Sequence, residues 1–411
     1  MALVLIEGGV VLPRAPCPRN LVFEVGRYAS SGRSMTSLKS KTVACPPPLK
    51  PASEKALLTP EELEAAIPAV LDLSRAHFTS QCLYTVVVLV VPDVIGARTL
   101  SVAEIINSLG CPVNEDLLLR QLRVVAAAGV LVESANEQGE FMYSLTPMGK
   151  LLQTGAPQPS MAGGIKHRME PPIWSAWSKL PEATFAGGDI PFREANGYML
   201  FDYYKVNPIS AKPFNEFMTF YSEYEAAGVV EGYDWTPFKG RTVCDIGGSY
   251  GLTMATLKAK YPEIRTLSFD LPEVIDAISE APTGVEFVKG NFFDHTTIPS
   301  CDVAFMKHIL HNWSDQDCCR ILRSLRLALP AHAKLIIVDA IIPGIGPDDS
   351  FTFAIKQLNC YMGVIGGKQR TLAEFETLFS TNGWAVEDVI HKTAGGPLCS
   401  LITVGGCTPQ D

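Results

Sequence analysis

The stretch FMKHILHNWSDQDCC, residues 305–319, sets His308 and His311 directly after an apolar run that reads as a buried strand. An imidazole titrates near neutrality, so either ring has the chemistry to take a proton from a hydroxyl, and either could equally be a packed core histidine. Earlier in the chain, VCDIGGSYG places Asp245 immediately before Gly247, Gly248 and Gly251, where a strand meets a helix. Glycines there let the backbone turn tightly and come close to a ligand. The acid in front of them would repel a pyrophosphate, and the Gly-x-Gly-x-x-Gly of dinucleotide sites is missing. A cationic ligand suits the turn instead: S-adenosylmethionine carries a sulfonium and an ammonium, which a carboxylate attracts in a partly desolvated cleft. Asp270, ending the next apolar run in LSFDLPEV, is placed to accept both ribose hydroxyls.

These residues need a scaffold, and the composition bounds it. At 411 residues, 47% hydrophobic and 19% charged, the chain can bury a large core and divide into two or three domains. A net charge of -9 argues against nucleic acid as the main ligand, because phosphate binding wants clustered Lys and Arg. Eleven cysteines without a Cys-x-x-Cys pair or a zinc-spaced set read as reduced, buried thiols of a cytoplasmic protein that binds no metal. The longest apolar stretch, LYTVVVLVV at 83–91, is far short of the roughly 20 residues a membrane-spanning helix needs. Residues 1–55 stand apart, with seven Lys and Arg in the first fifty against only Glu7 and Glu24. They read as a disordered basic extension that could serve as an organelle transit peptide, and Met35 could equally be the functional start.

Residues 56–165 read as mainly helical. TPEELEAAIPAVLDLSRAHF opens on a cap-like Thr59 with Pro60 in the first turn. NEDLLLRQLRVVAAAG spaces Leu117, Leu118, Leu122, Val125 and Ala126 along one helical face and closes at Gly129. A hairpin wing follows, so the segment predicts a winged-helix unit whose second helix offers only Arg120 and Arg123 as cations. Residues 166–238 form a helical bridge rich in aromatics, suited to line a pocket for a planar ligand or to pack a domain interface. From 239 to 411 short apolar strands alternate with helices, which predicts an α/β doubly wound sheet with its ligand at the carboxyl ends of the strands.

The ordered segments VCDIGGSYGLTMATLKAKYPEIRTLSFDLPEVI, GNFFD, DVAFMKHILHNWSDQDCCRIL and GGKQRT, with GGDIPF and PFNEFM in the bridge, resemble the successive motifs of the plant-type S-adenosylmethionine-dependent O-methyltransferases that act on phenols and hydroxyindoles. The resemblance runs from about residue 60 to the end. It implies a Rossmann-like seven-stranded sheet finishing in an antiparallel hairpin, a winged-helix unit used for homodimerisation, and S-adenosylmethionine without a metal. It implies His311 as the general base, held by Asp339 and Gln369. By matched position it sets Asp245, Gly247, Gly248, Gly251, Asp270, Leu271, Asn291, Phe292 and Lys307 on the cofactor. Phe214, Met218, Tyr221, His308, Trp313, Asn359, Tyr361 and Met362 fall on the aromatic acceptor.

Four positions depart from the family's usual residues. His308 replaces Trp, Asn291 replaces an aspartate, and Asp339 and Gln369 each stand for a glutamate. Gln369 can orient an imidazole but cannot stabilise imidazolium by charge. Two other readings therefore stay open: a catalytically weak cofactor-binding homologue, and a winged-helix regulator.

Overall fold

Seven strands build the large sheet that the alternating pattern predicts: β1 (Thr242–Ile246), β2 (Arg265–Asp270), β3 (Val285–Lys289), β4 (Val303–Lys307), β5 (Lys334–Asp339), β6 (Trp384–Ile390) and β7 (Ser400–Gly406). Their spatial order is β6-β7-β5-β4-β1-β2-β3, parallel from β5 to β3, with β7 antiparallel to both β5 and β6. The structure is a computed structural model that describes residues 58–155, 160–185, 187–345, 349–391 and 399–406; the basic extension and its targeting expectation lie outside them.

Both faces of the sheet are covered, so the central strands are apolar throughout rather than alternating with polar residues. Cys244 and Ile246 of β1 and Leu335 and Ile337 of β5 pack on one face with Ile321, Leu325, Phe375 and Phe379. Val243, Phe305, Ile336 and Val338 fill the other with Val229, Trp235, Met254 and Leu257. A separate short parallel pair, Ile341–Ile342 with Arg370–Thr371, follows the end of β5. That pairing brings the GGKQRT segment beside Asp339.

The chain divides into two compact units, residues 1–71 and 72–411. In the first, the described residues open the helix Pro60–Val88, where Thr59 and Glu62 exchange backbone-to-side-chain hydrogen bonds as a capping pair. In the second, the helix Glu115–Ala127, capped by Asn114, packs with the hairpin Leu131–Ala135 and Phe141–Leu145 as the predicted wing. Its buried face is narrower than the sequence implies: Leu118, Leu122 and Val125 are buried, but Leu117 is 52% exposed, because the i, i+4, i+7 row starts one residue later. No described helix is long and apolar enough to cross a membrane. Of the eight described cysteines, four are buried as expected, whereas Cys111 and Cys360 are exposed.

Candidate active site

Everything with chemistry gathers at the carboxyl edge of the sheet. After β1 the backbone turns at Gly247, whose φ of +83° suits a residue without a side chain. The Gly247 and Gly248 N–H groups donate to the Phe269 carbonyl of β2 at 2.8 and 3.2 Å. The turn therefore sits where the sequence places it, with Gly251 (φ +72°) opening the helix Leu252–Lys260. Asp270 is set by two backbone donors, Ser249 N–H to Oδ2 at 2.9 Å and Leu271 N–H to Oδ1 at 2.7 Å. Burial raises its pKa against these hydrogen bonds.

Asp245, only 4% exposed, carries a carboxyl that burial pushes up to about 7; Lys307 pulls the other way and Asp270 adds to the rise. Lys307 does not discharge it, because its ammonium lies 3.0 Å from Glu225 Oε2. A buried carboxylate short of a cation fits a positively charged ligand.

Phe292 stands edge-on to Trp313 at 5.8 Å and Phe293 to Trp313 at 4.9 Å, one aromatic corner above the Asn291 turn. Asn291, an exposed residue, accepts from the Phe293 N–H. Trp313 thus packs against both phenylalanines of the GNFFD segment. Sequence pattern gives no direction to a side chain on an irregular turn.

β4 ends at Lys307 and leads through His308 into the single turn Leu310–Asn312 that carries His311. His311 Nδ1 donates to Asp339 Oδ1 at 2.8 Å. Asp339 is fully buried at the end of β5, and its carboxyl is held well below the ordinary range: burial pushes up, but the His311 and His308 rings beside it outweigh burial. Oriented so that both ends find complementary partners, Gln369 donates from its amide to Asp339 Oδ1 (3.2 Å) and the Ala340 carbonyl (3.1 Å), and its oxygen accepts from His311 Nδ1 at 3.2 Å. Asn359 accepts from the Gln369 backbone N–H at 3.0 Å and so supports the orienting group. The predicted trio is thus in contact. Ile309, between the two histidines, lies against Gly247, so the loop bearing His311 abuts the glycine turn.

On the bridge helices, Tyr361 and Tyr204 hydroxyls meet the two nitrogens of His167 at 2.8 and 3.0 Å, and Phe214 stands edge-on to that ring at 5.2 Å. Tyr221 packs on Phe217 at 4.6 Å, Met218 is half-buried on the same helix, and Met362 is buried among the bridge helices.

Three residues escaped the sequence reading. Glu225 (2% exposed) binds both Lys307 and His308, the latter at 2.9 Å. Its signal was its place in the i, i+4 row Phe217, Tyr221, Glu225, Val229, where a buried acid demands a cation. His308 is therefore an ion-paired ring. Arg370, fully buried, donates to the carbonyls of Leu310 and Trp313 at 2.9 Å each and to Asp315, gripping the turn on both sides of His311. His167 is the third. Donor atoms of Glu225, His308 and Cys399, and of His308, His311 and Asp339, lie within 4.8 Å of one another.

Comparison with known proteins identifies the family. The O-methyltransferase domain family matches residues 177–385, and the O-methyltransferase dimerisation domain matches residues 71–155. A phenazine O-methyltransferase of Lysobacter antibioticus is 32% identical over 82% of this chain and 97% of its own. A caffeic acid 3-O-methyltransferase of Catharanthus roseus is 34% identical over 66% of this chain and 75% of its own. The solved structure of CalO1, a methyltransferase in calicheamicin biosynthesis in its SAH-bound form, superposes with a TM-score of 0.69 at 25% identity, covering 84% of this chain and 99% of that one. With the sheet order, the glycine turn and the histidine at the end of β4 all in place, the chain belongs to the O-methyltransferase family.

Proposed function

We propose that the protein methylates a hydroxyl of a small planar aromatic acceptor, phenolic or hydroxyindole-like, with S-adenosylmethionine as donor and His311 as general base, working as a homodimer and without a metal. The observation that carries the reading is the His311–Asp339 pair, 2.8 Å apart, on a loop pressed against the Gly247 turn.

S-adenosylmethionine supplies an electrophilic methyl group on a sulfonium. Asp245 and the backbone from Gly247 to Gly251 would hold its cationic end, Asp270 its ribose hydroxyls, and Phe292 with Leu271 its base; Lys307 and Asn291 border the same pocket. The buried, cation-deficient Asp245 supports this fit.

An aromatic hydroxyl is a weak nucleophile until its proton leaves. With Nδ1 turned to Asp339, the Nε2 of His311 is left to accept that proton, and the carboxylate stabilises the imidazolium that forms. Such a base contributes about 100 to 10,000-fold. Phe214, Met218, Tyr221, Tyr361 and Met362 on the bridge offer flat and sulfur-bearing surface to a ring. The dimerisation-domain match supports the homodimer.

The experiment is methyl transfer to a panel of catechols, hydroxyindoles and hydroxyphenazines, comparing the native protein with H311A. Turnover on at least one acceptor, lost in H311A while calorimetric donor binding survives, is expected. Full turnover in H311A would mean that another group removes the proton.

A further inference from the structure

One charged array is left over by this mechanism. Glu225, from the helix Pro208–Glu231, reaches the end of β4 and binds Lys307 Nζ at 3.0 Å and His308 Nε2 at 2.9 Å with the same oxygen. The other nitrogen of His308 faces Asp339 Oδ1 at 3.8 Å, the oxygen that accepts from His311 at 2.8 Å. Asp339 Oδ2 is buried with no hydrogen-bond partner. The two rings stack, with centroids 5.4 Å apart and planes inclined by 21°. One carboxylate thus serves two imidazoles.

The backbone is bent to achieve this. His308 has φ +56°, a conformation that costs a non-glycine residue energy and persists only when its surroundings impose it. Its N–H donates to Val338 at 2.9 Å and its carbonyl accepts from Asn312 Nδ2 at 3.0 Å, which fixes the bend from both sides.

We propose that Glu225 and His308 are positioning residues for methyl transfer: they hold a permanent positive charge one ring's breadth from His311, so that the base gives up its proton after each turnover instead of keeping it as a strongly stabilised imidazolium. A carboxylate as buried as Asp339 would otherwise bind the charged base too well. The described groups facing His308 are Glu225, Lys307, Asp339, Cys399 at the head of β7, with its Sγ 4.0 Å away, and His311. Burial favours the neutral ring, but Glu225, followed by Asp339 and Cys399, overrides it and raises the proton affinity of His308 well above that of an ordinary histidine.

In the reaction the acceptor O–H bond breaks, its proton moves to His311, the oxygen takes the methyl group with the C–S bond's electrons staying on sulfur, and the proton leaves to solvent. His308 keeps its proton throughout.

The inference rests on His311 being the base, and the test separates the two. In the whole wild-type enzyme, NMR of labelled histidines should find His308 protonated from about pH 6 to about pH 8. A neutral ring at about pH 7.5 overturns the proposal without any variant. In the pH profile of kcat/KM, E225Q and H308Q should each move the acid limb up by about one unit, an approximately tenfold relative loss at about pH 6. The double variant should move it no further, and H308K, which keeps a cation, should leave it in place. Additive shifts, or an H308K limb that follows H308Q, overturn it. Calorimetric donor binding checks each fold, and where a variant loses it the wild-type titration decides. An active H311A sinks both readings; an inactive H311A beside unmoved limbs in E225Q and H308Q sinks this one alone.

Discussion

Arg370 donates from Nη1 to the carbonyl oxygen of Leu310 at 2.9 Å, while its Nη2 takes the carbonyl of Trp313 at the same distance. One guanidinium therefore closes both ends of the turn that presents His311. Replacing it by Ala strands two carbonyls, each costing about 1–3 kcal/mol when buried and unpaired. We expect R370A to unfold at markedly lower denaturant and, at temperatures where it is folded, to lose at least about tenfold in kcat. Chemical denaturation and single-turnover assays check both.

Gly367 sits so close to the His311 carbonyl that an added Cβ would overlap it, and the neighbouring Lys368 N–H donates to that carbonyl at 2.8 Å. A methyl group there must displace the turn that carries His311. G367A should lower kcat by about 10 to 100-fold, since misplacement by an ångström has that scale of effect, with donor affinity within about twofold. Steady-state kinetics with calorimetry separates the two quantities.

Gln369 replaces a glutamate of the family pattern, yet its amide donates to Asp339 Oδ1 at 3.2 Å. The structure gives the amide a use that a carboxylate cannot fill. Q369E would set two buried carboxylates against each other, so one of them must take up a proton at raised pKa. We expect Q369E to be less stable than the native protein by about 1–3 kcal/mol at about pH 8 and to recover toward about pH 5. Thermal melts across that range test the sign.

Asp245 predicts a pH dependence of its own. Its carboxyl lies at about 7 in the folded protein against 3.8 ordinarily. The donor-free folded state therefore holds a proton that the unfolded chain has lost, and its stability falls as pH rises from about 4 to about 7. Affinity for a cationic donor runs the opposite way: it strengthens as pH rises through about 7 and weakens by up to about tenfold per unit below. D245N should flatten the calorimetric profile. A native affinity that is constant from about pH 6 to about pH 8 contradicts the assignment.

The parts legible in the sequence are those in which local pattern dictates position. An apolar strand ending in Asp-Ile-Gly-Gly, and others ending in Asp270, Lys307 and Asp339, must all deliver their last residues to one edge of a parallel sheet. The meeting of His311 with Asp339 follows from that edge. Glu225, 83 residues from His308, and Arg370, 60 from Leu310, were not legible, because nothing local says which distant cation or carbonyl such a side chain finds. Leu117 failed differently. Helical periodicity allowed a face one residue too wide.

The grip on the turn that carries His311 has an evolutionary corollary. Arg370 and Lys368 hold the 310–313 turn by main-chain oxygen atoms of Leu310, His311 and Trp313, none of which depends on side-chain identity. Side-chain changes at Leu310 or Trp313 therefore leave those two bonds available, whereas N312A, which removes the Nδ2 donor to the His308 carbonyl, should loosen the bend at His308 and lower turnover.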